Sequence, residues 1–329
     1  MEKLKFGILG VSNHFLKRII LPLKECKHCM PYAIASRNPD KAKEIADKFD
    51  IPVAIENYQE LLETPGVNAI YIPLPNHLHF DWTIKSIKQG TPVLCEKPLA
   101  MNFEEAQTMA EISSSNNIPL MEGFMYKFHP MWIHVKNIIK TNQIGNITYI
   151  NSSFSYNNPS ASNIRNIKEY GGGALMDIGC YTISVPRFLL DKEPKKVVSL
   201  ISRHPDFDTD MHTSAIMDFG DTRATFNVST LSQPFQTVDI IGTGGSITVH
   251  IPFNTYVDTK SYITVNTSQG SRKVEFTVED AYKNMFDQFA YSIINQKEMP
   301  LSLDDSVKNA KVTDAVLKSA ETGKWVNIE

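Results

Sequence analysis

The 329-residue sequence has four cysteines and three tryptophans, and its charges nearly cancel: 33 Lys and Arg against 36 Asp and Glu leave a formal net charge of −3. So few cysteines cannot knit a disulfide framework through a chain of this length, which fits a reducing compartment. Near-neutrality without blocks of like charge removes the electrostatic footprint that nucleic acid or an anionic membrane surface requires. No apolar run reaches the 18 residues of a membrane span, and Met1-Glu2-Lys3-Leu4-Lys5 lacks the apolar segment and small-residue cleavage site of a signal peptide. The expectation is a cytoplasmic protein whose partner is a small, roughly neutral molecule, with neither nucleic acid nor membrane as a ligand. Cys26-Lys27-His28-Cys29 has a spacing that can hold half a zinc site, but no second such pair follows, so no metal is expected.

What is present is apolar material, 42% of the residues, enough for two domains with separate cores. Phe6 to Leu9, Tyr32 to Ala35, Ala69 to Ile72 and Pro92 to Cys95 are short apolar runs bounded by turn or helix signals, and they read as buried strands. Between them Ala42, Ile45, Ala46 and Phe49 recur at helical spacing after Pro39, and Phe103 to Asn116 opens on Asn102, Glu104 and Glu105 as a capped helix does. Strand and helix in alternation give a Rossmann-type, doubly wound parallel sheet, expected over residues 1–122. Over residues 123–329 the rhythm changes. Thr148 to Tyr156, Val197 to Ser202, Ser214 to Phe219, Ala224 to Thr230 and Val238 to Ile241 follow one another closely as strands, with Phe219-Gly220-Asp221 as a turn. This predicts an α+β domain with a large, mostly antiparallel sheet, closed by a helix from about Leu303 to Thr322 that Gly323 stops. A sheet covered by helices on one side can pair with another subunit through the other, so a homodimer or homotetramer is expected.

The first strand runs into Gly7-Ile8-Leu9-Gly10-Val11-Ser12-Asn13-His14-Phe15, where a dinucleotide fold places its pyrophosphate at a helix amino end. Counted from Gly10, Ser12 and Phe15 replace the second and third glycines of the usual fingerprint; Ser12 is small and can bond a phosphate oxygen, whereas Phe15 needs room between helix and sheet. At the end of the second strand, NAD-selecting folds carry a carboxylate for the ribose hydroxyls. Here Ser36-Arg37 offers a hydroxyl and a guanidinium, with Lys41 one turn into the next helix. That set would attract a 2′-phosphate and favours NADP(H) over NAD(H). The plain alternative is a solvated loop arginine.

Two further segments are distinctive: Leu94-Cys95-Glu96-Lys97-Pro98-Leu99-Ala100, and Tyr170-Gly171-Gly172-Gly173-Ala174-Leu175-Met176-Asp177-Ile178-Gly179-Cys180-Tyr181. With Ile8-Leu9-Gly10 and Pro73-Leu74-Pro75-Asn76-His77-Leu78-His79, they resemble the glucose–fructose oxidoreductase, inositol dehydrogenase and rhizopine-catabolism (Gfo/Idh/MocA) family over nearly the whole chain. Lys97 falls just past the carboxyl end of a parallel strand, where open α/β sheets bind ligands, with Pro98 fixing the backbone beside it. Asp177 and Tyr181 are four apart and share a face if residues 174–190 are helical. A phenol with an ordinary pKa of about 10 is a poor base near neutrality, and a neighbouring lysine corrects that.

The resemblance implies an oxidoreductase that moves a hydride between nicotinamide and a carbinol or carbonyl carbon of a sugar or cyclic polyol. Lys97 and Tyr181 are then the proton-handling pair, and Asp177 orients the substrate. Cofactor contacts are expected from Gly10, Ser12, Asn13, His14, Phe15, Ser36, Arg37, Lys41, Leu74, Pro75, Asn76, His79, Glu96, Lys97 and Pro98, and substrate contacts from Lys97, Tyr126, Arg165, Asp177 and Tyr181. Tyrosine rather than histidine at 181, together with Ser36-Arg37, is similar to the branch holding NADP-linked xylose dehydrogenase, dihydrodiol dehydrogenase and sugar-nucleotide 3-ketoreductases. An NDP-sugar ketoreductase of deoxysugar biosynthesis, a trans-dihydrodiol dehydrogenase and a non-catalytic NADP-binding regulator are the alternatives. Tyr181 as a core tyrosine, Asp177 as a structural hydrogen-bond partner and Arg165 as a surface residue remain open beside these roles.

Overall fold

A computed structural model of the chain describes residues 3–328. Strands β1 (Leu4–Leu9), β2 (Cys29–Ala35), β3 (Val53–Ile55), β4 (Ala69–Ile72), β5 (Val93–Cys95) and β6 (Leu120–Glu122) form one parallel sheet in the order β3-β2-β1-β4-β5-β6. The strand order reverses between β1 and β4, which makes the carboxyl edge there the switch point where such sheets take ligands. Every residue of β4 and β5 is buried, as expected for strands covered on both faces. The crossovers carry α1 (Ile20–Lys24), α2 (Pro39–Phe49), α3 (Tyr58–Leu62), α4 (His79–Lys88) and α5 (Phe103–Asn116). Asn38 caps α2 by accepting the Lys41 N–H, with Pro39 in the first turn, and Asn102 caps α5 by accepting the Glu105 N–H at 2.9 Å.

The compact units are Met1–Met125 with Ala281–Val307, and Tyr126–Asp280 with Lys308–Glu329. The physical reason for the return is aromatic packing: on the helix Ala281–Ile294, Phe286 stands edge-on to Phe6 at 5.2 Å and to Tyr71 at 5.0 Å, while Phe289 tilts against Phe6. Both rings are fully buried, and truncating either to alanine would cost about 3–5 kcal/mol. On the same helix Asp287 accepts the N–H groups of Lys27 and His28 at 2.7 and 2.9 Å, clasping the loop before β2. Cys26, Cys29 and Asp287 have their ligand atoms within 4.8 Å of one another. Each already has hydrogen-bond partners, the thiols on the carbonyls of Pro22, Lys283 and Phe286, so the cluster acts as a loop clasp.

The second unit is built on nine strands, β7 (Ile147–Asn157), β8 (Lys196–Arg203), β9 (Asp210–Asp218), β10 (Arg223–Ser229), β11 (Leu231–Gly242), β12 (Gly245–His250), β13 (Tyr262–Thr267), β14 (Gly270–Glu275) and β15 (Val326–Asn327). Their order is β14-β13-β12-β11-β7-β10-β9-β8-β15, and only β7 and β10 pair in parallel. Alternation places Ala224, Phe226 and Val228 inside and Arg223 and Asn227 outside. Helices α6 (Pro130–Lys140) and α7 (Cys180–Leu190) belong to this unit, with α7 lying on β7 and β10. Gly242 to Gly245 is a hairpin turn between β11 and β12, as its place between strands suggests. Among the described residues, no helix is long and apolar enough to cross a membrane.

Candidate active site

At the end of β1, Gly10 has a φ of +105°, and a Cβ there would press to 2.9 Å from Leu74. The Ser12 hydroxyl accepts the Phe15 N–H at 3.0 Å and keeps its own proton to donate. Phe15 fits where a glycine is usual because the helix opens with a wide π-helical turn, Phe15–Ile19, and the ring turns into the core against Tyr71. Its side chain is therefore a packing element behind the turn, and only its backbone can face a cofactor. Lys41 donates to the Val11 carbonyl at 3.2 Å, which ties a cation to the same turn. Ser36 is buried and accepts the Asn38 N–H, and Arg37 is exposed beside it. No carboxylate ends β2. A turn with a left-handed glycine, a free hydroxyl proton and two nearby cations suits a phosphate-bearing dinucleotide.

Tyr58 was not anticipated. Its hydroxyl lies 3.4 Å from the position of a Gly10 Cβ, and burial pushes its pKa up against the charge and backbone amide of Arg37. Trp82 meets it edge-on at 5.2 Å. The signal was the aromatic directly after Asn57, which caps α3.

The loop after β5 is pinned from several sides. Tyr71 donates to Glu96 Oε1 at 2.8 Å, Leu99 N–H donates to Glu122 Oε1 at 2.8 Å, and Gly123 N–H donates to the Cys95 carbonyl at 2.7 Å. His14 Nε2 lies 3.7 Å from Glu96. Burial alone would raise the Glu96 pKa; His14, the Lys97 charge and the Tyr71 hydroxyl outweigh it and hold the carboxyl below its usual range. The Lys97–Pro98 peptide is cis. His79, expected to touch cofactor, is instead enclosed. Its ring nitrogens lie 2.8 Å from the Pro98 carbonyl and 2.9 Å from that of Leu74, joining the loops after β4 and β5, and burial lowers its pKa. Lys97 is left half-buried on a fixed backbone, with Leu74, Pro75 and Asn76 on the adjoining loop.

In the second unit, the glycine run feeds a π-helical turn, Leu175–Gly179, that continues as α7. Asp177 Oδ2 accepts from the Tyr156 hydroxyl at 2.6 Å and from Arg165 Nε at 2.7 Å. The carboxylate drives the Arg165 pKa up, and burial with the same carboxylate raises that of Tyr156. Arg165 also interacts electrostatically with Tyr181. The Tyr181 ring lies among Phe253 at 5.1 Å, Phe154 at 5.9 Å and Tyr126 at 5.9 Å. Tyr126, expected at the substrate, is a core residue here: it is 1% exposed and its hydroxyl meets Ser184 at 2.8 Å. Arg165, Asp177 and Tyr181 are thus gathered in one unit together with Tyr156, which sequence spacing did not reveal. Gly10, Ser12, Ser36, Arg37, Lys41, Glu96 and Lys97 occupy the carboxyl edge of the parallel sheet in the other.

Two family models match: one described as an oxidoreductase family with an NAD-binding Rossmann fold over residues 4–124, the other as a GFO/IDH/MocA C-terminal domain over residues 132–248. The chain is 33% identical to an uncharacterized oxidoreductase, ORF334, of Rhizobium meliloti over 100% of both chains. It is 31% identical to D-xylose 1-dehydrogenase (NADP(+)) 2 of Haloferax volcanii, covering 98% of this chain and 99% of that one. A 3-ketoreductase from Actinomadura kijaniata, crystallised with NADP and TDP-benzene, superposes with a TM-score of 0.92 at 24% identity over 97% and 98% of the chains, a likeness of fold. By both domain matches, and by the strand order and motifs that position its candidate residues, the chain belongs to the Gfo/Idh/MocA family of oxidoreductases.

Proposed function

We propose that the chain is an NADP(H)-dependent dehydrogenase or reductase acting on a CH–OH or carbonyl carbon of a sugar or related cyclic polyol, with Lys97 and Tyr181 handling the proton. The observation that carries this reading is the clamped loop Glu96-Lys97-Pro98, held by Tyr71, His79 and Glu122 so that one ammonium stands at the ligand edge of the sheet. The nicotinamide, when bound, takes or gives the hydride at the reacting carbon. Tyr181 accepts the hydroxyl proton as a carbonyl forms, and returns it in the reverse direction. Lys97 is proposed to supply the positive charge that phenolate formation requires. Arg165 and Tyr156 hold Asp177 through Oδ2, which fixes the carboxylate proposed to orient substrate hydroxyls.

Ser36 and Arg37 would take the 2′-phosphate, with Lys41 adding positive charge beside the phosphate turn. The relatives named for NADP support that preference, and their sugar and keto-sugar substrates support the substrate class. The outward face of the nine-stranded sheet, with Tyr149, Leu200 and Ile216 exposed among Ser, Thr and Asn, supports assembly as a homodimer or homotetramer. A cytoplasmic location completes the reading.

The test is a spectrophotometric screen of NADP⁺ and NADPH against free sugars, trans-dihydrodiols and nucleotide-linked keto-sugars. Turnover of a free sugar is expected, with Lys97→Ala and Tyr181→Phe each slower by orders of magnitude while NADPH still binds. A fully active Tyr181→Phe would move the proton elsewhere, a strict need for a nucleotide-linked substrate would make the chain a sugar-nucleotide ketoreductase, and NADPH binding without any turnover would make it a regulator.

A further inference from the structure

Three consecutive glycines before a helix carry a conformational cost, so each needs a reason in the space around it. For Gly172 the reason is the Arg165 carbonyl, which a Cβ would overlap. For Gly173, at φ +115°, it is a side chain from a different strand: a Cβ there would overlap Oδ1 of Asp210. Asp210 opens β9 and is buried, and its Oδ2 accepts the Leu175 N–H at 2.7 Å and the Thr213 hydroxyl at 2.8 Å. Leu175 begins the π-helical turn, and Ala174 before it makes no side-chain cap bond. An amino-terminal turn without a local cap leaves N–H groups to satisfy, and a carboxylate at that end also meets the helix dipole favourably. Asp210 thus caps, from across the sheet, the turn that contains Asp177 and leads into Tyr181.

We propose that Asp210 is a positioning residue of the active site: its carboxylate, seated in the space Gly173 leaves, fixes the Leu175–Gly179 turn and so aims Asp177 and Tyr181. The proposal rests on the catalytic reading above for its consequence, but the anchoring itself can be measured without it. The charged and titratable groups facing Asp210 are Arg203 from β8, the Tyr156 phenol from β7, and, through Tyr156, the Asp177–Arg165 pair. Burial pushes the Asp210 pKa up to about 6, with the Leu175 N–H, the Thr213 hydroxyl and Arg203 opposing. The anchor is therefore ionised at neutrality and protonated in mild acid.

Asp210→Asn and Asp210→Ala in the full chain provide the test, with Thr213→Val as a milder variant that folds if the others do not. Hydrogen exchange read by mass spectrometry should show peptides spanning residues 173–181 exchanging at least about tenfold faster in Asp210→Ala, with β4 unchanged. With NADP⁺ and D-xylose, or the fastest panel member, kcat should fall roughly ten- to a hundredfold while the NADPH dissociation constant holds. Wild-type kcat should decline as pH falls through about 6, and Asp210→Asn should lack that limb and run at a lower, flat rate. Unchanged exchange overturns the anchoring whatever the enzyme does. Faster exchange with unchanged kcat and pH profile overturns the positioning role. A fully active Tyr181→Phe measured alongside would instead sink the acid–base assignment, leaving the exchange result to stand or fall alone.

Discussion

Replacing Tyr71 by phenylalanine should destabilise the parallel-sheet unit in a way that depends on pH. The ring packs on Phe15 and edge-on to Phe286, and phenylalanine preserves both contacts. What is lost is one hydroxyl that donates to Glu96 Oε1 at 2.8 Å, with both side chains buried. A hydrogen bond to a buried charged group is worth about 1.5–3 kcal/mol, and the missing oxygen leaves too small a space to add much of a cavity cost. The Glu96 carboxyl is pushed up by burial but held, on balance, below the ordinary glutamate value of 4.5 by His14, Lys97 and Tyr71. A carboxyl depressed in the folded state contributes stability that is present above its unfolded pKa and is lost as pH falls through the folded one. The deficit of Tyr71→Phe should therefore be full at neutrality and shrink as pH falls through the folded-state pKa of Glu96, which lies below 4.5. Urea unfolding of both proteins near neutrality and at the most acid pH at which both stay folded, followed by circular dichroism with hydrogen exchange of β4 and β5, gives the two gaps. Equal gaps at both pH values would refute the charge dependence, and no gap at neutrality would refute the bond's contribution.

Exchanging Ser36 for Asp and Arg37 for Ala should shift the ratio of NADPH to NADH turnover toward NADH by at least about tenfold, the loss expected when a charge-assisted phosphate bond becomes a repulsion; an unchanged ratio in steady-state assays refutes the assignment. Gly173→Ala should cost about 2–5 kcal/mol, from strain at φ +115° plus displacement of Asp210 from the Leu175 N–H, and thermal unfolding checks it. Asp177→Asn keeps the shape and weakens the bonds to Arg165 and Tyr156, so kcat/KM should fall by roughly tenfold or more while NADPH binding holds. Leu200→Glu, at a position 77% exposed on the outward sheet face, should reduce the molar mass seen by light scattering if that face joins subunits.

The residues that could be read from sequence are those whose surroundings are local. β4 was legible to the residue because Ala69–Ile72 is a continuous apolar run, and α5 because Asn102 precedes it as a cap. β3 and β6 went unseen: three residues each are too short to show a period, and what holds them is pairing to β2 and β5. The aromatic pair on Ala281–Ile294 is periodic, but nothing in its spacing says that it packs against Phe6 and Tyr71 of the parallel sheet. The motifs behaved in the same way. Lys97, Asp177 and Tyr181 could be picked out by type and context, whereas the groups that hold them or their neighbours in place, Tyr71, Glu122, Tyr156 and Asp210, are brought there by other strands of the two sheets. His79 shows the difference within one motif: sequence placed it in the right loop, but only the fold shows both ring nitrogens facing carbonyls, which makes it a brace behind the cofactor edge. Glycine is the partial exception. The run Gly171-Gly172-Gly173 announced that something crowds the backbone there, and identifying that something as the Arg165 carbonyl and the Asp210 carboxylate turns a motif of absent side chains into a statement about which groups must be present elsewhere.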